Sequence, residues 1–361
     1  AYPRVVLTRG QGGGTITVTA GSPSLSTSQD NAGISLRSAA GAGIVVNGGI
    51  TAHGAGKVDI LSGAGFTLGN GIGISSGSGN ITIGTTGINS MLLDGTVSTA
   101  GAGTIAITGS RAVTMDADSL LETGSAAISV TSGAQMTLDV VESLNNGPIT
   151  LTTTAGGIIE AADPSRIGAL GSTSLLTIVS AGGVGASGTG ALDTDVGTLV
   201  LSAAGDVYIS EATALQLGSG AGPVTSSAGS ITITAAGALT TGNDVTTTGG
   251  NGSVSLAGAG VTVGHDVTAQ GTGTILIDGG GGNVDLSAGT LSTSSASAAA
   301  VVVRNAGNAL LGDISASSGT VVLGQAGDMI TGTVTQALAT SVLAGVLTAE
   351  TGGAIVLNRS E

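Results

Sequence analysis

The sequence predicts a single parallel β-helix, an all-β solenoid of short strands, and three observations lead to this fold class. Pairs of alternating aliphatic residues return about every 23 residues along most of the chain. Glycine, serine, threonine and asparagine separate these pairs, and glycine alone accounts for 67 of 361 residues. Two tyrosines, one phenylalanine and no tryptophan cannot build a thick globular core. Alternation with a period of two is typical of a half-buried strand, and a repeat of this length indicates a solenoid, propeller or array.

Each pair begins with an aliphatic residue that we expect to face inward, and a second inward aliphatic residue follows two positions later. The intervals between the first members are 23, 24, 23 and 21 residues, then 50 across an irregular stretch, then 32, 23 and 21. These first members are Val58, Ile81, Ile105, Ile128, Ile149, Leu199, Ile231, Val254 and Ile275.

Each coil also carries two further predicted strands, which start about 8 and 14 residues after the first. After Ile105, for example, come Val113-Thr114-Met115 and then Leu120. Three short strands in about 23 residues indicate a parallel β-helix, whose coils stack ~4.8 Å apart. The competing interpretation is a propeller or sandwich of antiparallel hairpins, which requires longer strands and larger core side chains.

The domain organisation follows from the regularity of this repeat. Residues 1–30 form an N-terminal strand or cap region, and residues 31–295 form the regular solenoid. The strand pattern weakens over residues 153–197, where we expect an irregular insertion. Residues 296–361 are predicted to be less regular coils, in which 338–347 fit either a short helix or a strand pair.

Composition and charge exclude several classes of function. The formal net charge is −14 with only eight basic residues, which argues against nucleic acid and against a polybasic membrane-surface protein. Cysteine is absent, so no disulfide or thiolate metal site is possible. No apolar run approaches the ~20 residues that span a bilayer. The chain starts at Ala1 without a leader, and we expect a mature exported form or a piece of a longer protein.

Catalytic groups are sparse, and the chain is not predicted to be an enzyme. Cleavage of an acidic polysaccharide or a glycoside needs clustered carboxylates, and basic residues assist in the former case. The candidates are Asp116, Asp118 and Glu122, or Asp193 and Asp195. In neither group does a basic residue stand one coil away on the matching strand.

No metal or cofactor site is predicted with a complete set of ligands. The only histidines, His53 and His265, are more than 200 residues apart and fit exposed turns. The one candidate for structural calcium lies near Asp285, where residues 279–286 (GGGGNVDL) partly match a glycine-rich calcium repeat. Asn283 stands where that repeat has glycine and no tandem copy follows, so we interpret the segment as a corner loop.

A series of outward threonines on the second strand of the coil raises ice binding as a further alternative. Thr67, Thr114, Thr137 and Thr262 form the series, and Tyr208 interrupts it. Threonine is also favoured on exposed strand faces for its shape alone.

Residues 1–10 are richer in positive charge than the rest of the chain, because they hold two of its eight basic residues. The segment can act as a capping strand over the first coil. Alternatively, it adds a strand to a neighbouring copy and so joins copies end to end. The residues of this assembly hypothesis are Tyr2, Pro3, Arg4, Val5, Val6, Leu7, Thr8 and Arg9.

Segments such as 229–234 (GSITIT) and 252–258 (GSVSLAG) resemble the β-helical shafts of filamentous-haemagglutinin-like exoproteins and autotransporter passengers. The resemblance covers most of residues 31–290 and implies a right-handed β-helix, export to the cell surface, and a role in adhesion or scaffold building. The asparagine-proline motif of their secretion domain is absent. We therefore expect an extracellular structural rod that assembles end to end with copies of itself. The alternative is a single-chain adhesin shaft that binds a surface glycan.

Overall fold

The computed structural model describes residues 4–8, 14–19, 24–161, 165–168 and 173–358, with residues 4–8 described by their backbone alone. The chain divides into two compact units. The first unit comprises Ala1–Gly182 and Gly188–Asp195, and the second comprises Gly183–Ser187 and Val196–Glu361.

The first unit contains short strands and one 3-10 turn at Gly188–Gly190. Its strands are β1 (Arg4–Thr8), β2 (Ile16–Val18), β3 (Leu25–Ser26), β4 (Gly33–Arg37), β5 (Ile44–Val46), β6 (Ile50–Ala52), β7 (Val58–Ser62), β8 (Phe66–Ser76), β9 (Ile81–Thr85), β10 (Met91–Thr99), β11 (Ile105–Gly109), β12 (Val113–Met115), β13 (Leu120–Thr123), β14 (Ile128–Ser132), β15 (Met136–Leu138), β16 (Val140–Ser143), β17 (Ile149–Thr153), β18 (Ile158–Glu160), β19 (Arg166–Ile167), β20 (Leu175–Ser180) and β21 (Leu192–Thr194).

The second unit is built in the same way. Its strands are β22 (Thr198–Ala203), β23 (Val207–Glu211), β24 (Leu215–Leu217), β25 (Val224–Ser226), β26 (Ile231–Ala235), β27 (Leu239–Thr241), β28 (Val245–Thr247), β29 (Val254–Ala257), β30 (Val261–Val263), β31 (Val267–Ala269), β32 (Ile275–Asp278), β33 (Val284–Asp285), β34 (Thr290–Thr293), β35 (Val301–Arg304), β36 (Ala309–Leu311), β37 (Asp313–Leu323), β38 (Val334–Gln336), β39 (Val342–Ala349) and β40 (Ile355–Val356).

In the first unit, each strand pairs in parallel with the equivalent strand of the next coil, and the pairs form three ladders. The first ladder runs β1-β4-β7-β9-β11-β14-β17-β20. The second runs β2-β5-β8-β10-β12-β15-β18. The third runs β3-β6-β8-β10-β13-β16-β19-β21, so β8 and β10 are long enough to serve two ladders.

The second unit has the same three-ladder plan. Its first ladder runs β23-β26-β29-β32-β35-β37-β39. Its second ladder runs β22-β24-β27-β30-β33-β36-β38-β40. Its third ladder runs β22-β25-β28-β31-β34-β37-β39. Both units are parallel β-solenoids with about 23 residues per coil, which confirms the predicted fold class.

The core of each solenoid is a stack of aliphatic side chains one residue deep. Along the first ladder of the first unit, the in-register residues Ile81, Ile105 and Ile128 are all fully buried. Among the described residues, Phe66 is the largest fully buried side chain and the only aromatic one in the core. Burial of aliphatic surface at roughly 25 cal/mol per Å² offsets the backbone entropy lost in so many tight turns.

Buried serine and threonine hydroxyls close the corners where strands end. Ser76 Oγ donates to the carbonyl oxygen of Gly56 at 2.7 Å and accepts the amide N–H of Gly79 at 2.8 Å. Ser226 Oγ makes the same pair of bonds, to Gly205 at 2.8 Å and from Gly229 at 3.0 Å. These bonds satisfy backbone groups that the ladders cannot reach, and unsatisfied buried groups are costly.

Outer corners are held by a second kind of bond, in which a polar side chain accepts an amide N–H from the following coil. Asn80 Oδ1 accepts from Thr104 at 3.1 Å, and Asp206 Oδ1 accepts from Ser230 at 2.7 Å. The same contact recurs at Asn31, Asn146, Ser230, Asn251, Ser253, Asp266, Asn283, Asn308 and Asp313.

Two residues lie on a different ladder from the one that the sequence pattern predicts. Leu199 pairs with Leu217 on the second ladder of its unit, whereas Val207 pairs with Ile231 on the first. Tyr208 therefore lies beside Thr232 on the first ladder, and it does not interrupt the second-strand threonines. Both segments alternate in the same way, so alternation alone cannot assign a strand to a ladder. The interval of 24 residues from Val207 to Ile231 matches the coil period better than the predicted 32.

The stretches predicted to be less regular also contain paired strands. Within residues 153–197, β18 and β19 continue the ladders of the previous coil, and the first ladder advances 27 residues from Ile149 to Leu176. Beyond residue 296, β35 to β40 keep parallel register. The segment 338–347, for which helix and strand were both open, contributes to strand β39.

Glycine at the tightest corners should be irreplaceable. A Cβ on Gly79 would lie 2.1 Å from the carbonyl oxygen of Gly56 in the preceding coil, and both residues are held in place by hydrogen bonds to Ser76 Oγ. We expect Gly79→Ala to destabilise the protein by about 1–3 kcal/mol, measured as thermal unfolding by circular dichroism. Gly73→Ala is the control, because no atom lies within 4 Å of the added Cβ. Equal effects of the two substitutions would contradict this account of coil spacing.

A matched pair of threonines tests the corner hydroxyls. Thr99 and Thr123 are in register on the third ladder and both are fully buried, but only Thr123 donates its hydroxyl, to Ala126 at 2.7 Å. Thr99 Oγ1 has no hydrogen-bond partner. We therefore expect Thr99→Val to raise the free energy of unfolding by about 1 kcal/mol and Thr123→Val to lower it by a similar amount. A loss of stability in Thr99→Val would show that its hydroxyl does have a partner.

Candidate functional site

The carboxylates that the sequence singles out lie in different environments. Asp116 and Asp118 are exposed in the turn after β12, and Glu122 is half-buried on β13. Asp193 is half-buried on β21, where its amide N–H donates to Glu160 Oε1, and Asp195 is buried. Among the described residues, no three acidic or histidine side chains come close enough together to hold a metal ion.

The structure brings together one ion pair that sequence reasoning missed. Glu122 and Glu142 are register neighbours on the third ladder, and Arg166 of the next coil pairs with Glu142 through Nη2. Arg166 Nε also donates to the carbonyl oxygen of Gly168 at 3.0 Å. The guanidinium of Arg166 thus contacts Glu142, and Glu122 lies one coil further along the same ladder. The similar strings LLET (120–123) and VVES (140–143) were the signal available in the sequence.

A second ion-pair ladder connects three successive coils of the second unit. Arg304 Nε contacts Asp278 Oδ2 at 3.0 Å, and its Nη1 contacts Asp328 Oδ2 at 3.0 Å. Asn305 Nδ2 donates to the other oxygen of Asp278 at 3.0 Å. Arg304 is ion-paired with both aspartates, and Asn305 is hydrogen-bonded to one of them. The cluster therefore connects neighbouring coils.

Asp139 is the buried carboxylate with the most distinctive environment. It is 5% exposed, and its Oδ2 accepts the amide N–H of Ser119 at 2.9 Å. Burial raises the pKa of the Asp139 carboxyl, because desolvation penalises the charged form more than the backbone hydrogen bonds from Ser119 and Asp118 favour it. The negative charge of Asp118 raises the pKa further, and a hydrogen bond from Ser165 acts in the opposite direction.

The histidines and the calcium candidate lie in ordinary corners. His53 and His265 are both exposed, and His265 lies 4.0 Å from Asp244. Asp285 Oδ1 accepts hydrogen bonds from the amide and the hydroxyl of Ser287, at 2.9 and 2.7 Å. That oxygen is therefore engaged within its own loop.

The outward threonines do not form a continuous array on the second ladder. Leu92 lies between Thr67 and Thr114, and Ile159 follows Thr137. The longest contiguous run of hydroxyls is instead on the third ladder of the second unit. It comprises Ser202, Thr225, Thr246, Thr268, Ser292 and Ser315.

The last coil of the second unit exposes side chains that are buried everywhere else in the stack. Leu347 is in register with Val321, and Ile355 is in register with Val334. The two valines are fully buried, whereas Leu347 is 39% and Ile355 is 44% exposed. Neighbouring aliphatic residues of this coil are also exposed: Leu338, Leu343, Val346, Val356 and Leu357. We refer to residues 338–357 as the terminal coil.

At the other end of the sequence, β1 pairs in parallel with β4 of the same chain, with Val5 opposite Ile34 and Leu7 opposite Leu36. Residues Arg4 to Thr8 of the assembly hypothesis thus form the first rung of the first ladder. Tyr2, Pro3 and Arg9 lie outside the described residues. This is the only pairing that the described residues show for β1.

Comparison of the chain with protein-family models, with curated proteins and with solved structures finds no match. Among the described residues, no helix has the length and apolar character needed to cross a membrane.

The raised pKa of Asp139 predicts a specific pH dependence of stability. The native carboxyl holds its proton at pH values where an unfolded aspartate is ionised, so the native state binds more protons in that window. The contribution of Asp139 to stability is therefore greatest in acid and falls as pH rises from its ordinary pKa through its raised native pKa. We expect Asp139→Asn, compared with the wild type, to become relatively more stable over this window in urea titrations. Asp30→Asn, at an exposed position, controls for the lost charge, and an identical pH trend in both variants would refute the assignment.

Proposed function

We propose that the chain is an extracellular structural protein that forms a stiff β-solenoid and joins copies of itself end to end in a surface filament or matrix fibre. The observation that carries this proposal is the terminal coil, where inward aliphatic side chains are exposed. The extracellular location is supported by composition: a long chain with 8% charged residues and no cysteine is typical of exported bacterial surface proteins.

The terminal coil has the two properties that favour strand addition. In the described residues, β39 pairs only with β37, and β40 pairs only with β38. A strand that is paired on one side offers a row of free N–H and C=O groups on the other. The exposed aliphatic side chains beside this edge add apolar surface that a further coil would bury.

A second copy supplies a matching partner, because β1 belongs to the first coil of a solenoid with the same three-ladder plan. Parallel pairing requires the added strand to run in the same direction as β39. A copy stacked with its first coil on the terminal coil meets that requirement on all three ladders.

Charge distribution favours the same arrangement. Residues 1–29 contain Arg4 and Arg9 and no acidic residue, which gives this segment a charge of +2. Residues 30–361 contain all 22 acidic residues and the other six basic residues, which gives 6 − 22 = −16. Contact between a basic first segment and the acidic remainder of another copy is electrostatically favourable, whereas other contacts bring like charges together.

Electron microscopy of the purified chain tests the proposal. We expect negative-stain images of the wild type to show particles whose length increases with protein concentration. The double substitution Leu347→Lys with Ile355→Lys should stop this growth, because it places two charges on the surface that a second copy covers. Both residues are already partly exposed, so the variant should stay folded, as circular dichroism can verify.

Ile88→Lys is the matched control, because Ile88 is 80% exposed and lies outside the terminal coil. Deletion of residues 1–10 should also prevent growth while the solenoid remains intact. Wild-type particles of one length at every concentration would refute assembly, and so would unimpaired growth of the double variant.

A further inference from the structure

A groove on the first unit lies along the beginning of the first ladder. Its volume is about 830 Å³. Three successive coils contribute to it, through β4, β7, β9 and the corners that precede these strands. The described lining residues are Asn31, Gly33, Ile34, Ala55, Lys57, Val58, Asp59, Asn80 and Thr82.

The charge in this groove differs from that of the protein as a whole. Lys57 is the only lysine of the chain, its side chain is exposed, and its side-chain nitrogen makes no ion pair or hydrogen bond to any described residue. The one carboxylate in the lining, Asp59, is neutralised by an ion pair with Arg37. A chain with a net charge of −14 thus presents an unmatched cation at this site.

The two asparagines add hydrogen-bond donors at either end of the lining. Asn31 Oδ1 accepts the amide N–H of Ala55 at 2.6 Å, and Asn80 Oδ1 accepts that of Thr104 at 3.1 Å. Because each carboxamide oxygen is bound by backbone, the Nδ2 group is the part of each side chain that remains for a ligand. Thr82 adds an exposed hydroxyl, which can donate or accept.

We propose that this groove binds an extended acidic saccharide. A carboxylate of the saccharide pairs with Lys57 Nζ, and its hydroxyls bond to the amide groups of Asn31 and Asn80 and to the Thr82 hydroxyl. The polar groups recur on coils ~4.8 Å apart, so the ligand must carry polar groups repeatedly along its length. One cation among several neutral donors matches a chain of sugar acids, which offers hydroxyls beside each carboxylate, better than an acidic peptide, whose side chains offer carboxylates alone.

No aromatic residue is among the described lining residues, so sugar stacking does not contribute there. Binding depends on a charge-assisted hydrogen bond and neutral hydrogen bonds, and it should weaken as salt screens the charge. The inference is separable from end-to-end assembly, because none of the described lining residues belongs to residues 2–9 of the assembly hypothesis or to the terminal coil.

Calorimetric titration with hexagalacturonate tests the site. We expect saturable binding at low salt, with neutral maltohexaose binding at least tenfold more weakly. Lys57→Gln should weaken hexagalacturonate binding by about tenfold or more, since a charge-assisted bond is lost. Lys57→Arg should retain most of the affinity.

Arg111→Gln is the matched control, because it removes the same charge from another exposed position outside the groove. Equal weakening by Lys57→Gln and Arg111→Gln would show nonspecific attraction and refute the site. Absence of saturable binding, or equal affinity for a hexaglutamate peptide, would also refute the assignment to an acidic saccharide. Filament growth should be unaffected in Lys57→Gln. Loss of saccharide binding and loss of filament growth are therefore separate results, and either proposal can be refuted without the other.

Discussion

Parallel register between successive coils is the constraint on which the rest of this structure depends. Each strand bonds to the equivalent strand one coil earlier and one coil later, so an inward residue always lies above another inward residue. This arrangement requires aliphatic side chains such as Ile81, Ile105 and Ile128 at matching positions. It also brings corners so close that a side chain at Gly79 would collide with the preceding coil. Outward positions carry no such requirement, which explains why their composition varies so freely along each ladder.

The fold was predictable from the sequence because its determinants are local and repeated. Alternation of aliphatic and polar residues marks a strand, and the interval of about 23 residues marks a coil, so neither depends on distant contacts. The assignment of strands to ladders was less predictable. Leu199 and Val207 both begin alternating segments, and only the pairing with Leu217 and Ile231 distinguishes them.

Side-chain clusters were harder to predict than strands because they depend on the length of each coil. Glu122 and Glu142 are only 20 residues apart, whereas Ile149 and Leu176, also one coil apart, are separated by 27. A search at a fixed interval therefore missed Glu142 and Arg166. The groove at Lys57 was equally hidden, because its lining residues come from three coils, and the pairing of Asp59 with Arg37 is what leaves Lys57 as the unmatched charge.

The outer-corner hydrogen bonds give each stack a direction. In every example the acceptor side chain precedes its donor in the sequence, as Asn80 precedes Thr104 and Asp206 precedes Ser230. At these corners a completed coil thus presents its acceptors to the coil that comes after it. Each of these acceptors is bonded within the stack only when the following coil is in place. The asparagines and aspartates at these corners thus tie each coil to the one that follows it.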